Sequence, residues 1–279
     1  MSADGGLLAA PAEPARDSGL RLKMPRPSRS FLLSSLSVAT LLAAWVLVTH
    51  MGWANELFLP KPEAVWNAFA KTMTKGYQGS TLPEHVGTSL YRILVAFALA
   101  CLVGIPIGVL MGASRDARAL LNPLIEFYRP LPPLGLYTLL VMWLGIGDTS
   151  KVALLFLAAL PPLSISAMQA ARSIDIGHIR AAQMLGATRT QLFRHVFLPS
   201  CLPGICTGMR ISLGFTYTVL VASEIVAATA GVGWMIWDAS KFLLSDVVIM
   251  GLFVLGLTGL LLDWFIRQLE RLITPWRFI

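Results

Sequence analysis

Long stretches without a charged residue dominate this chain. Phe31 to Thr49, Ile93 to Ser114, Pro130 to Gly147, Val152 to Ala171, Ile211 to Trp237 broken only by Glu224, and Val247 to Leu262 are the main runs. Most reach or approach the roughly 20 residues that an α-helix needs to cross about 30 Å of hydrocarbon. Six spans follow, expected near 31-52, 90-113, 120-146, 152-171, 203-230 and 246-267. With 56% hydrophobic and only 13% charged residues in 279, an ordinary soluble domain is excluded. The fold class is an all-α membrane protein. A basic stretch before Phe31 imitates a secretory signal, but the apolar part is long and five further spans follow, so it reads as the first helix.

Basic residues set the orientation, because short loops rich in Arg and Lys stay on the cytoplasmic side. The N-terminal flank and the segments after spans two, four and six hold 14 of the 22 Arg and Lys residues, whereas the opposite loops hold only Lys61, Lys71, Lys75, Lys151 and Lys241. Both termini are therefore expected in the cytoplasm. The net charge of +7 sits in those flanks, where anionic lipid attracts it, and no nucleic-acid motif accompanies it. Cys101, Cys201 and Cys206 lack metal-ligand spacing and read as small apolar residues. Residues 1 to 29, rich in Ala, Pro, Gly, Ser and Arg, are expected to be a disordered cytoplasmic tail, with the membrane domain over 30 to 279. Lys61 to Phe69, with Pro62 near its start, suits a short interfacial helix.

Two spans carry breaks. Pro130, Pro132 and Pro133 leave backbone carbonyls unpaired, which lipid does not tolerate unless protein or a water-filled cavity covers them, so this stretch should face the bundle interior. Pro161 and Pro162 pose the same problem. Both sites fit a solute path or a plain structural kink. Gly204, Gly208, Ser212 and Gly214 allow close approach of a neighbouring helix. Glu224 turns inward, either towards solute or as a carboxylate bonded for packing, and it lies too far along its helix to pair with Arg210. Asp263 and Arg267, four apart, suit an ordinary ion pair.

The polar segment Arg180 to Pro199, RAAQMLGATRTQLFRHVFLP, lies between apolar spans and reads as helix, glycine turn, helix. Gly186 suits the left-handed C′ position of the first helix, Thr188 with Gln191 forms a capping box for the second, and Pro199 is expected to stop it. Leu192, Phe193, Val196 and Phe197 make an apolar stripe opposite Arg189, Arg194 and His195. Such a segment lies on a bilayer surface or docks on a soluble partner.

Ala181, Ala182, Gly186 and the closing Val196 to Pro199 resemble the EAA loop of ABC-importer membrane subunits, with Arg180 standing where that family usually has Glu. Leu202-Pro203, Gly208-Met209-Arg210, Glu224 and Gly231 to Ile236 follow in the family's order. FYRPLPPL from Phe127, WLGIGDTSK from Trp143 and the closing ITPWR resemble the taurine, alkanesulfonate, nitrate and bicarbonate branch, taurine permeases most of all. Within that branch Arg also occurs at the loop's Glu position.

The resemblance implies a type I ABC importer permease bundle in a bacterial inner membrane. Arg180, Ala181, Ala182, Gly186, Ala187, Thr188, Leu198 and Pro199 would form the loop that couples to separate ATPase subunits, which bind ATP and Mg; no G-x-x-x-x-G-K-[ST] phosphate loop occurs in this chain, and no cofactor is expected in it. A periplasmic solute-binding protein and a second, identical permease copy complete the machine. Transport would be of a small anionic or zwitterionic solute, taurine or another sulfonate first, with nitrate, bicarbonate or a vitamin precursor as the alternatives; Tyr128, Pro132, Pro133, Thr216, Ser223 and Glu224 are the candidates for its path, with helix N-termini, hydroxyls or amides favoured over bare cations. No catalytic or metal site is expected. An intramembrane enzyme built on Glu224 and a histidine lacks any H-E-x-x-H or paired-carboxylate spacing. An ATP-independent carrier is the remaining alternative.

Overall fold

The computed structural model describes residues 29–277; residues 1 to 28 of the expected tail lie outside them. The chain divides into two units, Met1–Leu47 and Val48–Ile279. Of the first, residues 29–47 are described, most of α1 (Arg29–His50). All the contacts below belong to the second.

That unit is built from helices. After α2 (Pro62–Thr74), which starts at the proline expected for it, a turn leads into α3 (Leu82–Ala113), whose first turn is fastened by the Glu84 carboxylate accepting the Thr81 N–H at 2.7 Å. The third expected span is not one helix. α4 (Arg115–Tyr128), capped by Ser114, stops short of the proline run, and α5 (Pro133–Leu144) resumes beyond it, because residues ahead of proline are pushed out of helical geometry. α6 (Asp148–Arg172) is continuous through Pro161 and Pro162. Five helices among the described residues are long and apolar enough to cross a membrane, and α5 is a shorter apolar one.

Small residues zip the centre together. In α3 the glycines Gly104, Gly108 and Gly112, one per turn, meet Ser164, Ala167 and Ala171 of α6 in parallel; a Cβ on Gly108 would stand 2.6 Å from that of Ala167, and one on Gly112 2.3 Å from that of Ala171. α9 (Leu198–Ala227) runs antiparallel along α6: Gly204 and Gly208 face Ala170 and Ser166, and the Ser212 hydroxyl donates to the Ala159 carbonyl at 2.8 Å. Gly214 faces open space. Between these helices lies a core that includes Ile93, Ala100, Leu154, Leu155, Leu163, Leu213 and Leu220.

Connecting α6 to α9 are α7 (Ile176–Met184) and α8 (Arg189–Gln191), the latter passing through a π-helical segment (Leu192–Phe197) directly into α9. Pro199 therefore does not end a helix, contrary to expectation. The wider turn, in which the Leu198 N–H reaches back to Phe193, admits the proline ring in mid-run. α10 (Val232–Lys241) and α11 (Ser245–Ile273) complete the bundle. Asp263 on α11 joins Arg267, as expected, and also accepts from Arg210 of α9 at 2.8 Å. Tyr217 adds a second tie, donating to the Leu255 carbonyl at 2.8 Å beside Thr258.

Candidate functional site

Three places bear on function: the α7–α8 loop, a cavity at mid-bundle, and an ionic cluster at the end of the bundle away from that loop.

The loop is stiffened at each joint. Asp175 caps α7 by accepting the Gly177 N–H at 2.8 Å. Gly186, at φ +81°, follows the end of α7; its N–H reaches the Gln183 carbonyl and the Ala187 N–H the Ala182 carbonyl, each at 3.0 Å, so the carbonyls that α7 leaves over are satisfied. Thr188 accepts the Gln191 N–H while Gln191 accepts the Thr188 N–H at 2.9 Å, the reciprocal cap expected. Arg180, Ala181 and Thr188 are exposed, and Ala182, Ala187, Leu198 and Pro199 are partly buried. Beside the turn, Met184 and Leu185 are 84% and 89% exposed, an apolar tip that nothing among the described residues covers. Phe193 stacks on Phe197 within the π segment.

The cavity, of about 290 Å³, opens where α4 and α5 part. Tyr128, Arg129 and Pro133 meet Pro161, Ile211 and Phe215 there. Two of the six expected path residues, Tyr128 and Pro133, thus line it, while Pro132, also in the break, is exposed. The others lie elsewhere. Thr216 and Ser223 spend their hydroxyls on their own helix, donating to Ser212 and Leu220 carbonyls at 2.8 and 2.7 Å.

Glu224 is fully buried and collects three donors: Ser89 and Arg92 on one oxygen and the Gly233 N–H on the other, all at 2.8 Å. Arg92 also holds Asp148 at the head of α6 and the Ala230 carbonyl, so one guanidinium joins α3, α6 and the α9–α10 link. Gly231, at φ +130°, brings that link so close that a Cβ would stand 2.4 Å from the Glu224 carboxylate. His85 continues the network: its Nδ1 accepts the Gly231 N–H at 3.1 Å and its Nε2 faces the Tyr77 carbonyl at 3.2 Å. Tyr77 in turn donates to Asp238, and burial, helped by that bond, pushes its phenol up to about 12. Arg92 was not foreseen as the partner of Glu224. The only signal was that both are ionisable residues in apolar runs, where such groups seek one another. Among the described residues no group of His, Cys, Asp and Glu is placed to hold a metal ion.

Comparison with known proteins accords with this architecture. The taurine transport system permease protein TauC of Escherichia coli (strain K12) is 44% identical over 92% of this chain and 94% of its own length. The putative aliphatic sulfonates transport permease protein SsuC of the same strain is 34% identical, covering 85% of this chain and 88% of its own. The nitrate import permease protein NrtB of Synechocystis is 29% identical over 92% and 97%. Among solved structures, a chain of the MetNI methionine ABC transporter in inward-facing conformations matches with a TM-score of 0.61 at 22% identity, covering 69% of this chain and 96% of that one, a likeness of fold. Residues 104–275 match the family model of the binding-protein-dependent transport system inner membrane component, and the chain belongs to that family of multi-pass ABC-importer permeases.

Proposed function

We propose that this chain is the membrane-spanning subunit of an ATP-driven importer that brings a small sulfonate, taurine in the first place, into the cytoplasm. The observation that carries the reading is the 44% identity to a taurine permease across nearly the whole chain, joined by the sulfonate permease. Both termini and the α7–α8 loop face the cytoplasm in this reading, in keeping with the distribution of Arg and Lys. Two ATPase subunits, which bind ATP and Mg, grip the exposed tip at Met184 and Leu185, two copies of this chain enclose the path, and a periplasmic binding protein delivers the solute. Arg180, exposed on α7, belongs to the gripped surface.

The chemistry asked of the chain is mechanical. Closure of the ATPase pair pushes the loop, whose caps let it move as one piece, and the push passes along the unbroken run from Arg189 into α9. The break between α4 and α5, with its cavity, is the part of the path that opens alternately to each side.

Removing the gene and measuring uptake of radiolabelled taurine, other sulfonates and nitrate tests the assignment. Loss of taurine uptake, restored by the intact gene, is expected. A deficit confined to nitrate would move the cargo to the branch of NrtB, and unchanged uptake of all three would refute the reading.

A further inference from the structure

Of the three arginines in or beside the spans, two are neutralised by carboxylates on neighbouring helices, Arg92 buried and Arg210 partly exposed. Arg92 holds Glu224 and Asp148, and Arg210 holds Asp263. Arg129 is different. Among the described residues no carboxylate lies within ion-pair distance of its guanidinium, and Glu126, one turn earlier on α4, accepts from Asn122 at 2.7 Å instead.

Its depth makes this notable. Arg129 lines the cavity opposite Pro161, which lies midway along the 25-residue α6, roughly 18 Å from either end at the helical rise. A guanidinium stays protonated in any protein environment, and a charge at that depth is retained only where it faces a partner, water or a passing ion. Tyr128 adds a phenol to the same wall, while Pro133, Pro161, Ile211 and Phe215 make the rest apolar. The expectation that the path would avoid bare cations does not describe this cavity.

We propose that Arg129 is the anion-recognising residue of the solute path: its planar fork donates paired hydrogen bonds to the oxoanion head of the solute, a sulfonate or a group of like shape, at mid-membrane. One exposed cation beside a single phenol in an open, mostly apolar cavity attracts such a head without surrounding it, so the solute can leave again. The inference rests on the importer reading above and names the residue through which that importer senses charge.

The test uses the complete transporter in vesicles, with ATPase and binding protein, radiolabelled taurine as probe, and the variants Arg129→Gln and Arg129→Lys. Taurine uptake by Arg129→Gln should fall about tenfold or more, the worth of one charge-assisted hydrogen bond, while hydrolysis stimulated by loaded binding protein stays within about twofold. Arg129→Lys should recover part of the uptake. Uptake by Arg129→Gln within about twofold of the parent would overturn the inference and leave the importer standing. Parallel loss of hydrolysis and uptake in both variants would overturn it in favour of a structural role. A parent transporter that hydrolyses ATP yet moves no oxoanion would instead refute the importer reading itself.

Discussion

A single buried carboxylate organises one end of this molecule. Glu224 has no exposure, and its two oxygens are taken by Ser89, Arg92 and the Gly233 N–H, so its part is to hold the α9–α10 link down on α3. Removing one member of a buried pair leaves the other charge uncompensated, at a cost of about 3–5 kcal/mol. Glu224→Ala should therefore lower the thermal midpoint of the purified protein in detergent strongly, and Gly231→Ala should do so too, because its Cβ would enter the space of that carboxylate and its φ is left-handed. A midpoint unchanged in Glu224→Ala would show that the network carries no stability. Of the two readings that the residue allowed from sequence, the packing carboxylate describes its surroundings. Its partner was hidden because Arg92 lies 132 residues earlier and only the fold brings them together.

Helices were legible wherever one physical rule acted alone. Uncharged length announced the long helices, Pro62 the start of α2, and Gly186 with Thr188 and Gln191 the joint of the loop. Where rules competed, reading failed: Pro199 should stop a helix, yet the π segment before it lets the run continue. The α3 glycines were passed over because their meaning depends on which helix lies opposite, and only three of the four small residues singled out in α9 face a neighbour. Gly108→Ala, pressing on the Ser164 carbonyl and Ala167, should cost about 1–3 kcal/mol by overpacking, whereas Gly214→Ala, in open space, should be neutral or stabilise by up to about 1 kcal/mol. Comparing their denaturation midpoints checks the zipper directly, and equal midpoints would refute it. In the loop, a Cβ at Gly186 meets nothing, so Gly186→Val acts through backbone strain alone, of order 1–3 kcal/mol. Membrane insertion should survive it, while hydrolysis by the assembled transporter uncouples from uptake; normal coupling would count against a rigid lever.

At the scale of the whole molecule, the architecture separates three duties. The α7–α8 loop offers an uncovered apolar tip, the α4–α5 break offers a cavity at mid-depth, and the Arg92–Glu224 cluster locks the far end. None of these supplies energy, and the chain has no phosphate-binding loop, so the account stands or falls on an external motor reaching the tip. Met184 and Leu185 are the residues to probe, since both are almost wholly exposed beside the capped turn. Photocrosslinkers placed there in native membranes should capture an ATP-hydrolysing subunit, while the same probe at exposed Phe242, between α10 and α11, should not. Capture of no such subunit from either loop position, in membranes that still import the solute, would contradict the account.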